Sequence, residues 1–328
     1  MRDSCSFLRA HGFGDAVQHP LPGDASHRRY VRLSGGPRPA LLMDAPPPED
    51  VRPFLRIARH LRGADLSAPE IIAAEEDSGF LLLEDFGHDT HAALLDSGAD
   101  PLPLYTEAAA TLAALHEAPA PTGLPAWESA TMARATAATF ADWWWPTTFG
   151  APPSDAVRAE LDAALRAMLD PFAGAGCFVH RDYFPANLMR LDRDGPRCTG
   201  LLDFQDAGLG HPAYDLVSLV EDARRDVRDD VRDAAIAHYF DARPTLDRAD
   251  FTAAVAACAA QRHLRVAALW TRLARRDDKP GYLIHGPRCW RLLDRALAHP
   301  ATAPLRAFLD RHVPPGLRRN PASLTEAA

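Results

Sequence analysis

Lysine is almost missing from this chain. One residue in 328, Lys279, is a lysine, so nearly all of the 36 basic side chains are arginines. Upstream of that position, any permanent cation needed for binding or chemistry has to be a guanidinium. Positive charge is also in deficit overall. With 44 acids against 36 bases the net charge is −8, which argues against the basic surface of a nucleic-acid-binding protein, and no nucleic-acid partner is expected. Long apolar runs are absent too, and none approaches the ~18 residues of a membrane span, so no membrane partner is expected. The start, Met1-Arg2-Asp3-Ser4-Cys5, has an early acid and no apolar segment, and does not read as a secretory signal. The five cysteines, Cys5, Cys177, Cys198, Cys258 and Cys289, are odd in number, scattered and without C-x-x-C spacing. That argues against a disulfide frame or zinc site and for reduced thiols in a cytoplasmic protein. The remaining composition, 47% apolar and 24% charged, is that of a soluble globular chain long enough for one large domain or two lobes.

What is present is concentrated in one stretch, His180-Arg181-Asp182-Tyr183-Phe184-Pro185-Ala186-Asn187, followed by Leu201-Leu202-Asp203-Phe204. Phosphoryl transfer needs a carboxylate to orient the attacking hydroxyl and oxygen ligands to hold Mg²⁺ on the nucleotide phosphates. The pattern H-R-D-x-x-x-x-N supplies the first carboxylate and one ligand, and a following D-F pair supplies the other. Asp182 and Asn187 stand at that spacing, and Asp203 comes sixteen residues after Asn187. A bland alternative is a polar turn, with Cys177-Phe178-Val179 entering and Leu188-Met189-Arg190-Leu191 leaving as strands. It does not explain why a second apolar strand, Thr199 to Leu202, also ends on a carboxylate.

Along the chain, residues 4–18 read as a short amphipathic helix broken at Pro20-Leu21-Pro22-Gly23-Asp24. His27 to Leu33 and Ala40 to Met43 read as a hairpin, Glu49 to Arg62 as a helix, and Pro69 to Ala74 and Gly79 to Leu83 as two more strands. Beyond Glu84-Asp85-Phe86-Gly87 the pattern is mostly helical, interrupted by the hairpin around 177–204.

On the catalytic segment, the strand ending Leu202-Asp203-Phe204-Gln205-Asp206-Ala207 and the following Gly210-His211-Pro212-Ala213-Tyr214-Asp215-Leu216, the chain resembles the aminoglycoside phosphotransferase family. Other stretches look like a narrower group, the kinases that phosphorylate the anomeric hydroxyl of N-acetylmuramate and N-acetylglucosamine in peptidoglycan recycling. They are Gly23 to Tyr30, Met43-Asp44-Ala45-Pro46-Pro47, Gly79 to Gly87, Gln261 to Arg265 and Lys279 to Leu283. The resemblance implies an α+β, protein-kinase-like two-lobe fold. A small β-rich N-lobe would cover residues 1–86, with nucleotide-covering loop and hinge, and a large mostly helical C-lobe residues 87–328. It implies ATP and Mg²⁺ as cofactors, a small-molecule sugar as substrate, and a monomer.

It also implies roles. Asp182 would take or orient the proton of the attacking hydroxyl and touch the substrate, and Asn187 and Asp203 would hold Mg²⁺. Asp24, Ala25 and Ser26 would form the nucleotide-covering loop, although bare sequence reads them equally as an ordinary turn. Glu84, Asp85 and Phe86 would be the hinge, binding adenine through backbone groups. His180, hydrogen-bonding backbone, and Asp215, at an apolar helix start, would brace the catalytic loop. Most such kinases carry a phosphate-pairing lysine on the strand that here ends in Met43. Met43 would still line the nucleotide, and Arg28 would supply the missing charge. Phe140, Trp143, Trp144 and Trp145 form an aromatic cluster, from which Trp143 or Trp144 would face the sugar. Two rivals remain: a kinase of another small alcohol, such as an aminoglycoside, choline or an amino alcohol, and a nucleotide-binding pseudokinase suggested by the missing lysine.

Overall fold

The computed structural model describes residues 2–22 and 27–325. Asp24, Ala25 and Ser26 therefore lie outside the described residues. The chain divides into two compact units, Met1–Leu115 with Pro185–Asp206, and His116–Phe184 with Ala207–Ala328. This differs from a division at residue 86. The segment after residue 86 groups with the sheet because backbone bonds tie it there: Arg190 N–H donates to Asp89 O at 2.8 Å, and Leu201 N–H to Ser67 O at 2.7 Å.

The first unit begins with α1 (Cys5–Ala10) and β1 (Val17–Pro20), followed by β2 (Arg29–Ser34), β3 (Ala40–Asp44), α2 (Arg52–Gly63), β4 (Ile71–Glu75) and β5 (Phe80–Glu84). The strands form one antiparallel sheet in the order β1-β2-β3-β5-β4. The expected β-β-α-β-β order is present, but the helix expected over 4–18 stops at Ala10 and its tail is the edge strand β1. Alternation divides the sheet cleanly. Val31, Leu33, Ala40, Leu42, Phe80 and Leu82 pack with Phe7, Leu8 and Phe13 into a core on one face. Tyr30, Arg32, Leu41 and Leu83 look the other way, into a pocket. Then come α3 (His91–Asp96) and α4 (Pro101–Glu117), whose last two residues belong to the second unit.

Next in chain order are β6 (Ala126–Trp127), α5 (Ser129–Thr139), a π-helical turn over Phe140–Trp144, α6 (Trp145–Phe149), α7 (Asp155–Leu169), β7 (Cys177–Val179), β8 (Leu188–Arg190), β9 (Thr199–Leu201) and β10 (Gly208–Gly210). The strands flanking the catalytic segment do not pair with each other. β7 joins β10 and β6 in a sheet of the second unit, and β8 pairs antiparallel with β9 in the first. The hairpin thus spans Leu188 to Leu201, within the wider stretch around 177–204 expected for it.

The second unit is completed by α8 (Ala213–Val220), α9 (Asp229–Ala242), α10 (Arg248–Arg276), α11 (Gly286–Leu297), α12 (Ala303–His312) and α13 (Ala322–Thr325). The 29-residue α10 is its spine, with α5, α7, α8 and α11 packed on it. Asp247 starts it by accepting the amides of Ala249 and Asp250, and Arg275 and Arg276 in its last turn complement its dipole. Buried alanines at 256, 257, 259 and 260 let neighbouring helices approach closely. Among the described residues no helix is long and apolar enough to cross a membrane.

Candidate active site

The first unit holds a pocket of about 300 Å³ whose lining includes Arg28, Tyr30, Leu83, Glu84, Asp85, Phe86, Asn187 and Asp203. The fold brings together residues far apart in sequence. β2 and the residue before it present Arg28 and Tyr30, the end of β5 presents Glu84 to Phe86, and the β8–β9 hairpin presents the rest. Arg28 is largely buried and pairs with Glu49 just ahead of α2, Nε to Oε2 at 3.0 Å. Burial pushes the Tyr30 hydroxyl pKa up; Arg28 opposes this and the charge of Asp203 adds to it. Met43 shares the pocket-facing side of β3 with Leu41 but is completely covered and does not line the cavity. Its assignment to the nucleotide is corrected accordingly.

The segment after β5 is fixed by ion pairs that sequence reading missed. Asp85 pairs with Arg32 at 2.6 Å, and the same guanidinium donates to Gly87 O at 2.6 Å. Glu84 pairs with Arg193 and, at 3.6 Å, with Arg62. The Glu84 amide donates to Glu70 O at 2.9 Å and the Gly87 amide to Asp85 Oδ1 at 2.9 Å. Both amides are therefore already bonded within the protein. The Phe86 ring lies so close to Gly200 that a Cβ there would sit 2.8 Å from it, which is why β9 carries a glycine.

Asn187 and Asp203 stand at the two ends of the hairpin. Leu202 N–H donates to Asn187 O at 3.0 Å, holding together the open mouth of the hairpin beside both residues. Asp203 has φ +59°, a left-handed conformation that costs an aspartate little compared with a branched residue. Its side chain is exposed, and Oδ1 accepts from Gln205 Nε2 at 2.8 Å. Phe204, the next residue, is fully buried and stacks on Phe54 of α2 with ring centroids 4.8 Å apart. A buried aromatic next to an exposed acid, joined by a reversed backbone, aims the carboxylate outward.

Asp182 lies in the second unit, half-buried. The loop before it is held by Asp215, fully buried on α8, which accepts the amides of His180 at 2.6 Å and Arg181 at 2.8 Å. Arg181 has φ +75°, a strained position for a side chain of its size. Arg262 of α10 donates to Arg181 O at 3.0 Å and to Tyr214 Oη at 3.3 Å. Burial works against the Arg262 charge, but Tyr214, Asp182 and Asp222 outweigh it and its pKa lies above the ordinary value. Behind Asp215, His116 stands at 3.4 Å and receives Tyr239 at 2.8 Å on its other nitrogen. Burial lowers the His116 pKa, with Asp215 opposing. The His180 ring does not bond backbone as expected: among the described residues its nitrogens have no partner, and it packs edge-on against Tyr183.

Half of the aromatic cluster, Phe140 and Trp144, is core, and Trp143 and Trp145 are half-buried. Trp144 is fully buried, stacked on Phe140 at 5.0 Å, and its indole N–H donates to Arg319 O at 2.9 Å. It cannot face a ligand, whereas Trp143 is half-buried. Asp142 is on a solvated helix face, paired with Arg158 at 2.7 Å.

Solved structures share this architecture. A putative aminoglycoside phosphotransferase from Ralstonia eutropha aligns with TM-score 0.63 at 16% identity, over 91% of this chain and 97% of that one. A choline/ethanolamine kinase family protein from Mesorhizobium loti aligns with TM-score 0.61 at 13% identity, over 90% and 92%. The fold is α+β and protein-kinase-like. In sequence, the profile of the phosphotransferase enzyme family matches residues 17–252, and the chain belongs to that family. Among its relatives, the N-acetylmuramate/N-acetylglucosamine kinase of Caulobacter vibrioides is 38% identical over 96% of this chain and 97% of its own. The kinase of the same name from Pseudomonas aeruginosa is 36% identical over 90% of each.

Proposed function

We propose that this chain is an ATP- and Mg²⁺-dependent kinase that phosphorylates the anomeric C1 hydroxyl of N-acetylmuramate and N-acetylglucosamine, giving the α-1-phosphate for peptidoglycan recycling. The observation that carries the reading is the first-unit pocket, where Asn187 and Asp203 share one cavity with Arg28, itself paired with Glu49. Relatives similar over nearly their whole length bear that kinase name.

The residues fit a magnesium ion. Asn187 and Asp203 offer hard oxygen donors in one pocket, and Mg²⁺ takes few protein ligands and keeps several waters. Among the described residues no three His, Cys, Asp or Glu side chains cluster to cage a metal, which accords with such an open site. When bound, the ion neutralises charge on the nucleotide phosphates. Arg28, held by Glu49, takes the part of the lysine–glutamate pair of other kinases, so the missing lysine is no sign of an inactive protein. Asp85 and Phe86 present backbone to adenine. Asp182 accepts the proton of the anomeric hydroxyl as its oxygen bonds to the γ-phosphorus and the β–γ bridging P–O bond breaks, releasing ADP. Asp215 positions the loop, and Trp143 borders the sugar. We read residues 1–86 as the N-lobe and 87–328 as the C-lobe of a cytoplasmic monomer.

The test is turnover by purified protein with ATP and Mg²⁺ against N-acetylmuramate, N-acetylglucosamine, glucose, kanamycin and choline, reading product position by phosphorus NMR. An anomeric phosphate on an N-acetyl sugar is expected. Turnover only on another alcohol overturns the sugar assignment, and ATP binding without any turnover favours a pseudokinase.

A further inference from the structure

Arg224 stands exposed on the loop joining α8 to α9. Its guanidinium carbon lies 5.3 Å from the ring centroid of Phe184, two residues beyond Asp182, and 5.8 Å from that of Tyr282. Tyr282 is itself backed by Trp270, with ring planes 8° apart and centroids at 5.5 Å. The neighbouring arginines are occupied: Arg228 by Asp230, Arg232 by Glu221, and Arg288 and Arg291 by Asp226. Among the described residues Arg224 has no such ion pair; its backbone amide, not its guanidinium, meets Asp222, at 2.8 Å.

The loop that presents it is pinned on both sides. Glu221 is buried against His263 at 2.7 Å. Asp226 is gripped by Arg288 at 2.8 Å and Arg291 at 2.7 Å, and Ala223 O accepts from Arg288 at 3.4 Å. Asp222 is buried beside Arg262, whose guanidinium reaches the carbonyl of Arg181 next to Asp182. The tie runs from the catalytic loop to Arg224 within the second unit.

A guanidinium between aromatic faces, on a fixed loop, with no ion pair from the described protein, suits a planar anion arriving from outside. The two proposed acceptors differ by one such group: N-acetylmuramate carries a lactyl carboxylate that N-acetylglucosamine lacks. We propose that Arg224 binds the carboxylate of the acidic sugar and sets the preference between the two acceptors. This rests on the acceptor reading above. The aromatic residues supply rigidity, and the guanidinium fork supplies two parallel hydrogen bonds.

The experiment measures kcat/KM for both sugars and for the methyl ester of N-acetylmuramate, in wild type, Arg224→Met and Arg224→Lys. Met keeps an apolar stem against the rings; melting temperatures establish that each variant is folded. In Arg224→Met the kcat/KM ratio of N-acetylmuramate to N-acetylglucosamine falls about ten- to a hundredfold, chiefly through KM, as expected for a lost bond to a charged group. Lys, a point charge without the fork, restores part of it. The ester, already poor with wild type, loses nothing further in the variant. If wild type uses both sugars and the ratio stays put, or the ester falls in parallel with the acid, the role of Arg224 is overturned while the acceptor reading stands. If wild type uses N-acetylglucosamine but not N-acetylmuramate, Arg224 again loses its role. If it uses neither, the acceptor reading falls and takes this assignment with it.

Discussion

The carboxylate of Asp215 accepts the backbone amide of Arg181 at 2.8 Å, and Arg181 is held there at φ +75°. A buried acid on one helix thus fixes a strained residue immediately before Asp182. The strain persists because Asp215 also takes the His180 amide and Arg262 takes the Arg181 carbonyl.

Replacing Asp215 with Asn removes the charge and turns one acceptor into a donor facing an amide. Each lost bond to a charged acceptor costs about 1.5–3 kcal/mol. Urea melts of Asp215→Asn are expected to show a loss in that range, with kcat reduced more than KM for the sugar. A variant as stable and as active as wild type contradicts the bracing role.

Arg28→Ala is expected to raise the KM for ATP about tenfold or more while leaving the KM for the acceptor nearly constant. Glu49→Gln acts in the same direction more weakly, since the guanidinium stays but loses its tether. Initial rates over a range of ATP concentrations decide the matter. Unchanged ATP dependence in Arg28→Ala removes this residue from the phosphate site.

Asp203→Asn retains the fold, because asparagine accepts left-handed backbone as readily as aspartate. Turnover is expected to fall by about a hundredfold or more through loss of a charged ligand. Chelation should abolish wild-type turnover and added Mg²⁺ restore it. Full activity in the variant, or in chelator, excludes the metal role.

His91 and His211 both have pKa values lowered to about 4, chiefly by burial, with Arg190 adding to the effect on His91 and His116 and Arg243 on His211. Unfolded, each imidazole takes its proton near pH 6.5. Between pH 6.5 and 4 the unfolded chain therefore binds more protons than the folded one. Stability complete above about pH 6.5 declines as pH falls, by up to about 1.4 kcal/mol per pH unit for a fully buried group such as His91. His91→Leu removes one of the two and should flatten the acid limb of a stability-against-pH curve; an unaltered slope refutes the assignment.

The helices and the β2–β5 strands were readable because their apolar periods are imposed by burial on one side, and the motif residues because phosphoryl chemistry demands fixed types at fixed spacing. The edge strand β1 was not. All four of its residues are exposed, so no burial pattern marks Val17–Pro20, and Pro20 sits where an edge strand tolerates it. The pairing of β7 with β10, not β8, was equally hidden, since each is three residues long and register comes from tertiary contacts. In the pocket, the motif singled out Asn187 and Asp203, which do share its lining, whereas nothing in the sequence singled out Glu49. It lies 21 residues from Arg28 in an unremarkable polar turn, and only the fold brings the two together. Trp144 misled because a tryptophan that closes a core and one that lines a cleft have the same sequence appearance.

The Arg28–Glu49 pair has one more consequence. A lysine in such a pocket loses its proton near pH 10 and is open to acetylation, either of which erases its charge. A guanidinium does neither in the range where proteins stay folded. The positive pole of this pocket therefore lies outside the acyl-transfer chemistry that removes a lysine's charge.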